Sequence, residues 1–567
     1  MIKHCCKTKS PRILLSGVFG PYGVNDEFGR KSNIMELFHN QVTKGQGLSS
    51  YRFHHRSFGL YLLAANVDAD VTVLDFPTRS RFIKEIKGNY DIIGISFITP
   101  NFLKAREMAR LCRKYAPAAE IVLGGHGAAI EGVEGLIECD HVVKGEGIRW
   151  LREHLGQDPD DQFYHPTLPV SDWQTIYGVP VPGQTNNLLV PGVGCVNACN
   201  FCATSHFFGK SYTSFLKTGK EIFDVCVRIS EERGSDDFWV MDENFLKDNK
   251  RAMELLAEME RNERYFNFYI FSSAEAILQI GIENMLRLGV IFVWIGFESR
   301  IRQGNYQKNA GVDADVLVKQ LRDVGIAVLA SSILCLEEHT QENIQEDIDF
   351  MIGLKADMVQ FMLYTSLPVT ALYEQHKRQG LIKENLPYED WHGQEVLNWN
   401  HPEFPGNSAG EWLNKAFKEE YEQNSCSVYR TIETVYRGYK SLTMRDDLDR
   451  ILEARKDLLE ARTQEYRIML DVILANAGTE REKQMACELQ DEITSDLGPL
   501  PLRSRLRGLA GRALAAMWKL RVFILGDMKQ PRTIYTQYPV RQRRKRVVFG
   551  YLRRTLIRKT GEDQPCI

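Results

Sequence analysis

The chain has 567 residues, of which 44% are hydrophobic and 26% are charged, as in ordinary soluble globular proteins. This length exceeds one ordinary domain, so two or three are expected. The 12 cysteines follow no disulfide-framework spacing, which argues against a secreted scaffold and favours a reducing cytoplasm. No uninterrupted apolar stretch reaches the roughly 18–20 residues that a membrane span needs.

The near-neutral net charge of −3 conceals an uneven distribution of charge. Residues 501–567 carry 17 lysines and arginines against three acidic residues, so the rest of the chain is clearly negative. The basic C-terminal tail is therefore expected to differ from the body in the partners that it contacts.

Residues 1–155 alternate strand and helix patterns. Five short runs rich in valine, isoleucine and leucine predict buried strands, and the helical spacing of Met108, Leu111 and Cys112 predicts a helix between the third and the fourth. Continuous apolar strands separated by helices favour an α/β domain with a doubly wound parallel sheet. The predicted strands cover residues 12–16, 71–75, 91–97, 120–125 and 141–145.

Small and polar residues follow these predicted strands. In doubly wound sheets, ligands bind beyond the carboxyl ends of the strands. Glycines there allow a large flat ligand to approach the backbone, although they also occur in ordinary tight turns. The candidate cofactor-binding residues are Ser96, Thr99, Gly124, Gly125, Gly145 and Glu146.

A second series of strands and helices follows a predicted linker. Residues 156–185 are rich in proline, aspartate, glycine and glutamine, which is typical of a linker. Six strand-then-helix units over residues 186–400 predict a parallel, partly closed (β/α)6 barrel with its chemistry at the C-terminal strand ends. The predicted strands cover residues 188–190, 237–242, 266–271, 290–295, 327–330 and 358–362.

Cys195, Cys199 and Cys202 follow the first barrel strand with the spacing Cys-x3-Cys-x2-Cys, and no fourth cysteine is nearby. A [4Fe–4S] cluster normally takes four thiolates, so three would leave one iron open to a substrate or cofactor. A zinc corner completed by His206 is disfavoured because zinc sites usually combine two spaced pairs. A disulfide plus an odd thiol is disfavoured because the other cysteines are scattered. The sequence therefore predicts an iron–sulfur cluster.

The cysteine motif, with Phe201 directly before its last cysteine, resembles that of the radical S-adenosylmethionine (SAM) superfamily. The resemblance implies that Cys195, Cys199 and Cys202 hold a [4Fe–4S] cluster whose open iron is chelated by the amino and carboxylate groups of SAM. It also implies reductive cleavage of SAM to methionine and a 5′-deoxyadenosyl radical. An electron donor such as flavodoxin or ferredoxin is the expected partner.

The N-terminal strand series resembles the cobalamin-binding domain that precedes the barrel in B12-dependent radical-SAM enzymes, among them the class B methyltransferases. The resemblance rests on residues 91–96, 123–126 and 144–147 and on the order of the domains. It implies that the strand-end residues bind cobalamin. No Asp-x-His-x-x-Gly motif marks a lower cobalt ligand, and His126 is either a contact or a merely hydrogen-bonded loop residue.

Three carboxylates at barrel strand ends are candidate SAM contacts. Asp242 and Glu243 follow the second strand, where the resemblance implies a charge-assisted bond to the methionyl ammonium; a solvated turn is the alternative. Glu298 follows the fourth strand, and a carboxylate there needs a polar partner. The resemblance implies that Glu298 contacts the ribose or amine of SAM, with a structural hydrogen bond as the alternative. No catalytic side chain is identified.

Residues 401–567 have the spacing of a mostly helical domain with a basic tail. One helix combines an apolar face with a basic face and precedes the basic run 541–546, which favours contact with anionic lipid heads. A solvated tail is the alternative, and nucleic acid is disfavoured because no base-reading module accompanies the charge. The apolar face comprises Leu506, Leu509, Ala513, Met517, Leu520 and Ile524, and the basic face Arg505, Arg512 and Lys519.

These features predict a cytoplasmic, cobalamin-dependent radical-SAM enzyme with a peripheral membrane contact. It would cleave SAM at a [4Fe–4S] cluster and methylate an unactivated carbon of a small or lipid-like substrate. Two alternatives stay open: a radical cyclisation or rearrangement without net methyl transfer, and a non-catalytic iron–sulfur or cobalamin sensor.

Overall fold

The computed structural model describes residues 10–32, 36–180, 186–301, 307–309, 311–526 and 530–540. The described residues form two compact units. The N-terminal unit contains the described parts of Met1–Pro21, Ser57–Pro166 and Gln530–Ile567, and the barrel unit those of Tyr22–Arg56 and Thr167–Lys529.

The strands, in chain order, are β1 (Arg12–Gly17), β2 (Arg52–Phe53), β3 (Asp70–Asp75), β4 (Ile92–Ser96), β5 (Glu120–Gly124), β6 (His141–Val142), β7 (Gln174–Ile176), β8 (Val179–Pro180), β9 (Asn187–Leu189), β10 (Gly192–Gly194), β11 (Tyr212–Ser214), β12 (Asp237–Val240), β13 (Asn267–Phe271), β14 (Val290–Glu298), β15 (Ala327–Leu334), β16 (Met358–Leu363) and β17 (Ile534–Tyr538).

The α-helices are α1 (Phe58–Ala65), α2 (Arg79–Ile86), α3 (Phe102–Tyr115), α4 (Val133–Leu136), α5 (Gly147–His154), α6 (Ala203–Phe207), α7 (Gly219–Arg233), α8 (Asn249–Arg261), α9 (Ala274–Ile280), α10 (Ile282–Leu288), α11 (Ala314–Asp323), α12 (Ile344–Gly353), α13 (Ala371–Arg378), α14 (Ser408–Asn424), α15 (Ser427–Thr443), α16 (Arg450–Tyr466), α17 (Ile468–Asn476), α18 (Glu480–Leu497) and α19 (Leu502–Leu525).

The N-terminal unit is built on a six-stranded sheet with the order β17-β3-β1-β4-β5-β6. Its five predicted strands are confirmed and run parallel. Numbered along the chain, these five have the order 2-1-3-4-5, which is the flavodoxin-like version of the doubly wound fold. In that fold the ligand crevice lies where the strand order reverses, here between the carboxyl ends of β1 and β4.

Buried apolar side chains explain why these strands form. Ile13, Leu14 and Ile93 are completely buried, as expected for strands covered on both faces. A Cβ on Gly94 would lie 2.8 Å from Leu15 Cδ2, so the glycine in β4 leaves room for the side chain of its neighbour in β1.

The sixth strand of this sheet, β17, was not predicted from the sequence. It pairs antiparallel with β3, with Tyr535 opposite Leu74, and its residues alternate between partly buried and exposed. Such a half-covered edge strand has no continuous apolar run to reveal it. The basic run 541–546 lies outside the described residues.

The barrel unit contains a parallel sheet with the order β9-β12-β13-β14-β15-β16. This confirms the six predicted barrel strands in their chain order. Ring contacts place alternate aromatic residues on one face: Trp239 stacks on Tyr269 with centroids 5.2 Å apart, and Phe271 stacks on Trp294 at 5.1 Å. The strand ends that carry the candidate SAM contacts therefore share one edge of the sheet.

Two small sheets and a helix break were not predicted. β10 and β11 form a hairpin. Within the predicted linker 156–185, β7 pairs with β8, and β7 also pairs with β2 from much earlier in the chain. The helical segment that follows α15 is divided into α16 and α17 at Arg467, whose Nη1 donates to Gly498 O at 2.9 Å. Among the described residues, no helix combines the length and apolar character required to cross a membrane.

Candidate functional site

The three cysteines of the motif lie in the loop between β10 and α6. Gly194, the last residue of β10, has φ +91°, and a Cβ there would collide with Ser211 O, directly before the facing strand β11, so only glycine fits. Ser205 joins the two ends of the loop: its Oγ donates to Cys195 O at 2.6 Å, and its N–H donates to Cys202 Sγ at 3.5 Å. The local structure therefore holds the first and last cysteines in fixed positions.

The three thiols are free and partly exposed. Burial raises the pKa of each thiol, to about 11 for Cys199, and the ammonium group of Lys308 opposes this rise. Metals bind the thiolate form. A lysine beside the loop therefore favours the ionisation that a metal ligand needs.

The spacing of the sulfur atoms argues against a single metal ion. Four thiolates on zinc lie only about 3.8 Å apart, because each Zn–S bond is about 2.3 Å. Within the described ranges, the one group whose ligand atoms all lie within 4.8 Å of one another is Glu120, His141 and His154. The three cysteine sulfurs are therefore not all within 4.8 Å of one another, and an iron–sulfur cluster does not need them to be, because each thiolate binds its own iron. The residues present fit a cluster rather than a zinc corner.

Glu298 ends β14 beside the cysteine loop. It is 6% exposed, has φ +67° and forms an ion pair with Lys308. Lys308 Nζ also lies 6.0 Å from the ring centroid of Phe201, inside the cysteine motif. The structure therefore brings Glu298 to the cluster loop through a lysine that sequence reasoning missed. A single lysine in a loop has no spacing signal that distinguishes it from a solvated one.

Asp242 lies two residues after β12, and its side chain is buried within the barrel unit. Its side chain is 1% exposed, and its Oδ2 accepts hydrogen bonds from Arg251 Nη2 at 2.8 Å and from Tyr212 Oη at 2.6 Å. Arg251 Nη1 also donates to Tyr212 Oη at 2.6 Å. This closed network links the strand end, the hairpin and α8. A contact between Asp242 and SAM stays a prediction.

Glu243, the next residue, faces the cysteine loop. Its Oε2 accepts a hydrogen bond from the N–H of Gly194 at 3.0 Å, directly before Cys195. The side chain is accessible to solvent but surrounded by protein atoms, as in a concave site, and this desolvation raises its pKa to about 8. Of the two adjacent carboxylates, Glu243 is the one placed to meet a ligand above the cysteine loop.

The predicted cobalamin residues of β4 and β5 lie at the crevice edge of the N-terminal unit. Gly125 has φ +79° and ψ 177°, a region that only glycine adopts readily. A Cβ there would lie 2.6 Å from Phe97 O and 2.9 Å from Ser96 Oγ, whereas a Cβ on Gly124 would meet nothing within 4 Å. The open space at Gly124 fits the approach of a large flat ligand.

Two of the other predicted cobalamin-binding residues of this unit are buried or make hydrogen bonds within the protein. Thr99 is buried in the 3-10 turn Thr99–Asn101. Glu146 caps α5 by accepting hydrogen bonds from the N–H groups of Ile148 and Arg149, and Gly145 before it has φ +82°. Burial lowers the pKa of His126 to about 4, so its ring is neutral at physiological pH. Contacts of Thr99, Gly145 and Glu146 with cobalamin stay predictions.

Gly125→Ala is expected to lower the free energy of unfolding of the N-terminal unit by about 1–3 kcal/mol, because alanine must adopt a strained backbone conformation and collide with Phe97. Gly124→Ala is the matched control, since its Cβ meets open space, and its effect should stay within about 0.5 kcal/mol. Thermal unfolding monitored by circular dichroism measures both changes. Equal midpoints for the two variants would contradict the backbone argument.

Comparison with known proteins agrees with these observations. Residues 47–153 match the family model of the B12 binding domain. The chain is 24% identical over 337 residues to the bacteriochlorophyllide d C-8(2)-methyltransferase of Chlorobaculum tepidum, covering 55% of this chain and 73% of that protein. It is 21% identical over 330 residues to the anaerobic magnesium-protoporphyrin IX monomethyl ester cyclase of Rubrivivax gelatinosus, covering 50% of this chain and 58% of that protein.

The fold is similar to that of the radical SAM methyltransferase TsrM from Kitasatospora setae, whose structure was solved with cobalamin and a [4Fe–4S] cluster bound. The TM-score is 0.54 and the identity 15%, over 80% of this chain and all of that chain. This chain therefore contains a match to the B12 binding domain and has the fold of a radical SAM methyltransferase. The predicted resemblance to radical-SAM enzymes and the predicted fold class are thereby confirmed, and the alternative of a non-catalytic sensor is disfavoured.

Proposed function

We propose that this radical-SAM enzyme transfers a methyl group from SAM to an unactivated carbon of an apolar, lipid-like substrate. The observation that carries the proposal is the three-thiol loop with Glu243 and the Glu298–Lys308 pair beside it. The cofactors are a [4Fe–4S] cluster, SAM and cobalamin. When bound, the cluster and SAM supply hydrogen abstraction from the carbon, and cobalamin supplies methyl transfer.

The side chains of this protein bind the cluster and orient SAM. Cys195, Cys199 and Cys202 hold the cluster as thiolates. Lys308 provides a positive charge beside them, and its ion pair with Glu298 offsets the cost of burying that charge. The Glu243 carboxylate accepts a charge-assisted hydrogen bond from the methionyl amino group of SAM, which orients the reacting end of SAM.

The aromatic residues on one face of the barrel strands support the proposal that the substrate is apolar. Phe271 and Trp294 are stacked, paired in register and partly exposed. Because side chains alternate along a strand, Trp294 and Gly296 share one face of β14. A Cβ on Gly296 would collide with the Glu298 carboxylate and the Lys308 ammonium, so this polar pair lies on the face of Trp294. Pockets for organic ligands are mostly apolar with a few polar groups that fix orientation. The similarity to a bacteriochlorophyllide d C-8(2)-methyltransferase supports methyl transfer to a carbon atom.

A radical rearrangement without methyl transfer is the competing function, and the similarity to a cyclase supports it. The two differ in whether S-adenosylhomocysteine forms. We expect the anaerobically reconstituted protein, supplied with reductant, reduced cobalamin and SAM but no substrate, to form about one equivalent of S-adenosylhomocysteine per bound cobalamin. Formation of 5′-deoxyadenosine alone, with cobalamin bound, would favour the rearrangement and contradict the methyltransferase.

Glu243→Gln is expected to weaken SAM binding about 10- to 100-fold, because a hydrogen bond to a charged group contributes about 1.5–3 kcal/mol. The glutamine oxygen still accepts from Gly194, so cluster content should not change. Isothermal titration with SAM measures the affinity. Glu342→Gln, which changes an exposed glutamate, is the matched control. Equal SAM affinities of the two variants would show that Glu243 does not contribute to SAM binding.

A further inference from the structure

Helix α19 packs on the barrel unit through its smallest residues. Its buried positions are Gly508, Gly511 and Ala515. A Cβ on Gly508 would lie 2.7 Å from Asp471 Oδ2, and one on Gly511 would lie 3.0 Å from Val472 Cγ2. The small-residue side of α19 therefore lies close against α17, and most of the larger apolar side chains of α19 do not contact α17.

The opposite side of α19 is an exposed apolar stripe. At 3.6 residues per turn, the large apolar residues fall on the side away from Gly508 and Gly511. Nine of the 17 large hydrophobic residues that are exposed in the described chain lie on this one helix, so they form a patch rather than scattered single residues. They are Leu502, Leu506, Leu509, Leu514, Met517, Leu520, Phe523, Ile524 and Leu525.

Basic residues border this stripe on both sides. The helix has six arginines and lysines and no acidic residue. By helical spacing, one group lies along one border of the stripe and the second group along the other. The first group comprises Arg503, Arg507 and Arg521, and the second Arg505, Arg512 and Lys519.

We propose that α19 is a membrane-docking helix that lies in the headgroup region of an anionic lipid bilayer. Its apolar stripe would enter the boundary of the acyl chains, and its two basic borders would meet the lipid phosphates. The 24 residues of α19 give a contact about 36 Å long at 1.5 Å per residue. This inference goes beyond the proposed reaction and does not depend on it.

Charge complementarity favours lipid over other occupants of the stripe. A second copy of the chain, docked stripe to stripe, would bring six positive charges against six more, which is unfavourable. A nucleic acid would neutralise the charges but would leave the nine apolar side chains in water. An anionic bilayer satisfies both features at once.

The test is co-sedimentation of the full chain with vesicles. We expect binding to vesicles of phosphatidylcholine with about 30% phosphatidylglycerol, little binding to phosphatidylcholine alone, and a clear loss of binding near 0.5 M salt, where the Debye length falls to roughly 4 Å. Met517→Asp should lower the bound fraction about tenfold, since it places a negative charge in the stripe. Met444→Asp is the matched control: Met444 is 75% exposed and Met517 65% exposed.

Circular dichroism should show that both variants are folded, because neither methionine is buried. The inference is overturned if the wild-type chain does not bind anionic vesicles, or if Met517→Asp and Met444→Asp bind equally. It is also overturned if light scattering shows a dimer that Met517→Asp dissociates, with no vesicle binding. That result would assign the stripe to a second copy of the chain.

Discussion

Replacing Cys199 by alanine is expected to abolish the iron–sulfur cluster and to lower the rate of SAM cleavage by more than about 100-fold, the largest usual effect of losing a residue that only orients a metal ligand. Cys199 is the middle ligand of the three, and its loss would leave two thiolates for a cluster that already lacks a fourth. The measurements are iron and sulfide content after anaerobic reconstitution and the formation of 5′-deoxyadenosine.

Cys487→Ala is the matched control for this change. Cys487 is an exposed thiol on α18, so its loss should alter neither the iron content nor SAM cleavage. If Cys199→Ala kept about four irons per chain and cleaved SAM at the wild-type rate, the cluster would have to be held elsewhere.

Arg251→Met is expected to lower the free energy of unfolding of the barrel unit by about 3–5 kcal/mol, because it leaves the buried carboxylate of Asp242 without its partner. The side chains of this ion pair are only 2% and 1% exposed. The guanidinium of Arg251 also lies over the ring of Tyr212, with a centroid distance of 5.3 Å. Urea denaturation followed by tryptophan fluorescence measures the loss.

Arg261→Met on the same helix, α8, is the matched control. Arg261 is 68% exposed and pairs with Glu258 at the surface, so its loss should cost less than about 1 kcal/mol. The double variant Asp242→Leu with Arg251→Met should recover much of the stability, since it removes both charges together. Equal midpoints for Arg251→Met and Arg261→Met would show that the buried network contributes nothing.

The parallel strands of both sheets could be predicted because they are buried on both faces. Such strands require continuous valine, isoleucine and leucine, and that requirement leaves a local signal in the sequence. The strand β17 and the hairpin of β10 and β11 leave no such signal. Their pairing depends on residues far apart in the chain, for example Tyr535 with Leu74, and their side chains are only partly covered.

The residues of the candidate site likewise include some that could be predicted from the sequence and some that could not. The three cysteines could be predicted because their ligand spacing is local. The partners of the strand-end carboxylates could not: Lys308 reaches Glu298 from a loop, and Arg251 reaches Asp242 from the following helix. Neither basic residue differs in the sequence from a solvated one. The two adjacent carboxylates Asp242 and Glu243 consequently looked equivalent, although only Glu243 faces the cysteine loop.

Helix α19 illustrates a further limit of periodicity. The spacing of its apolar residues correctly predicts an amphipathic helix, but the same spacing fits a helix that turns its apolar face to the core. The buried glycines decide the orientation, because Gly508 and Gly511 contact α17 and leave the apolar stripe exposed.

SAM is expected to bind an open iron of a cluster held by Cys195, Cys199 and Cys202. Low-temperature electron paramagnetic resonance of the reduced, reconstituted protein with and without SAM tests this most directly. Saturating SAM should shift the spectrum of the cluster, because its amino and carboxylate groups become ligands of the open iron. A protein with about four irons per chain and identical spectra with and without SAM would contradict this expectation.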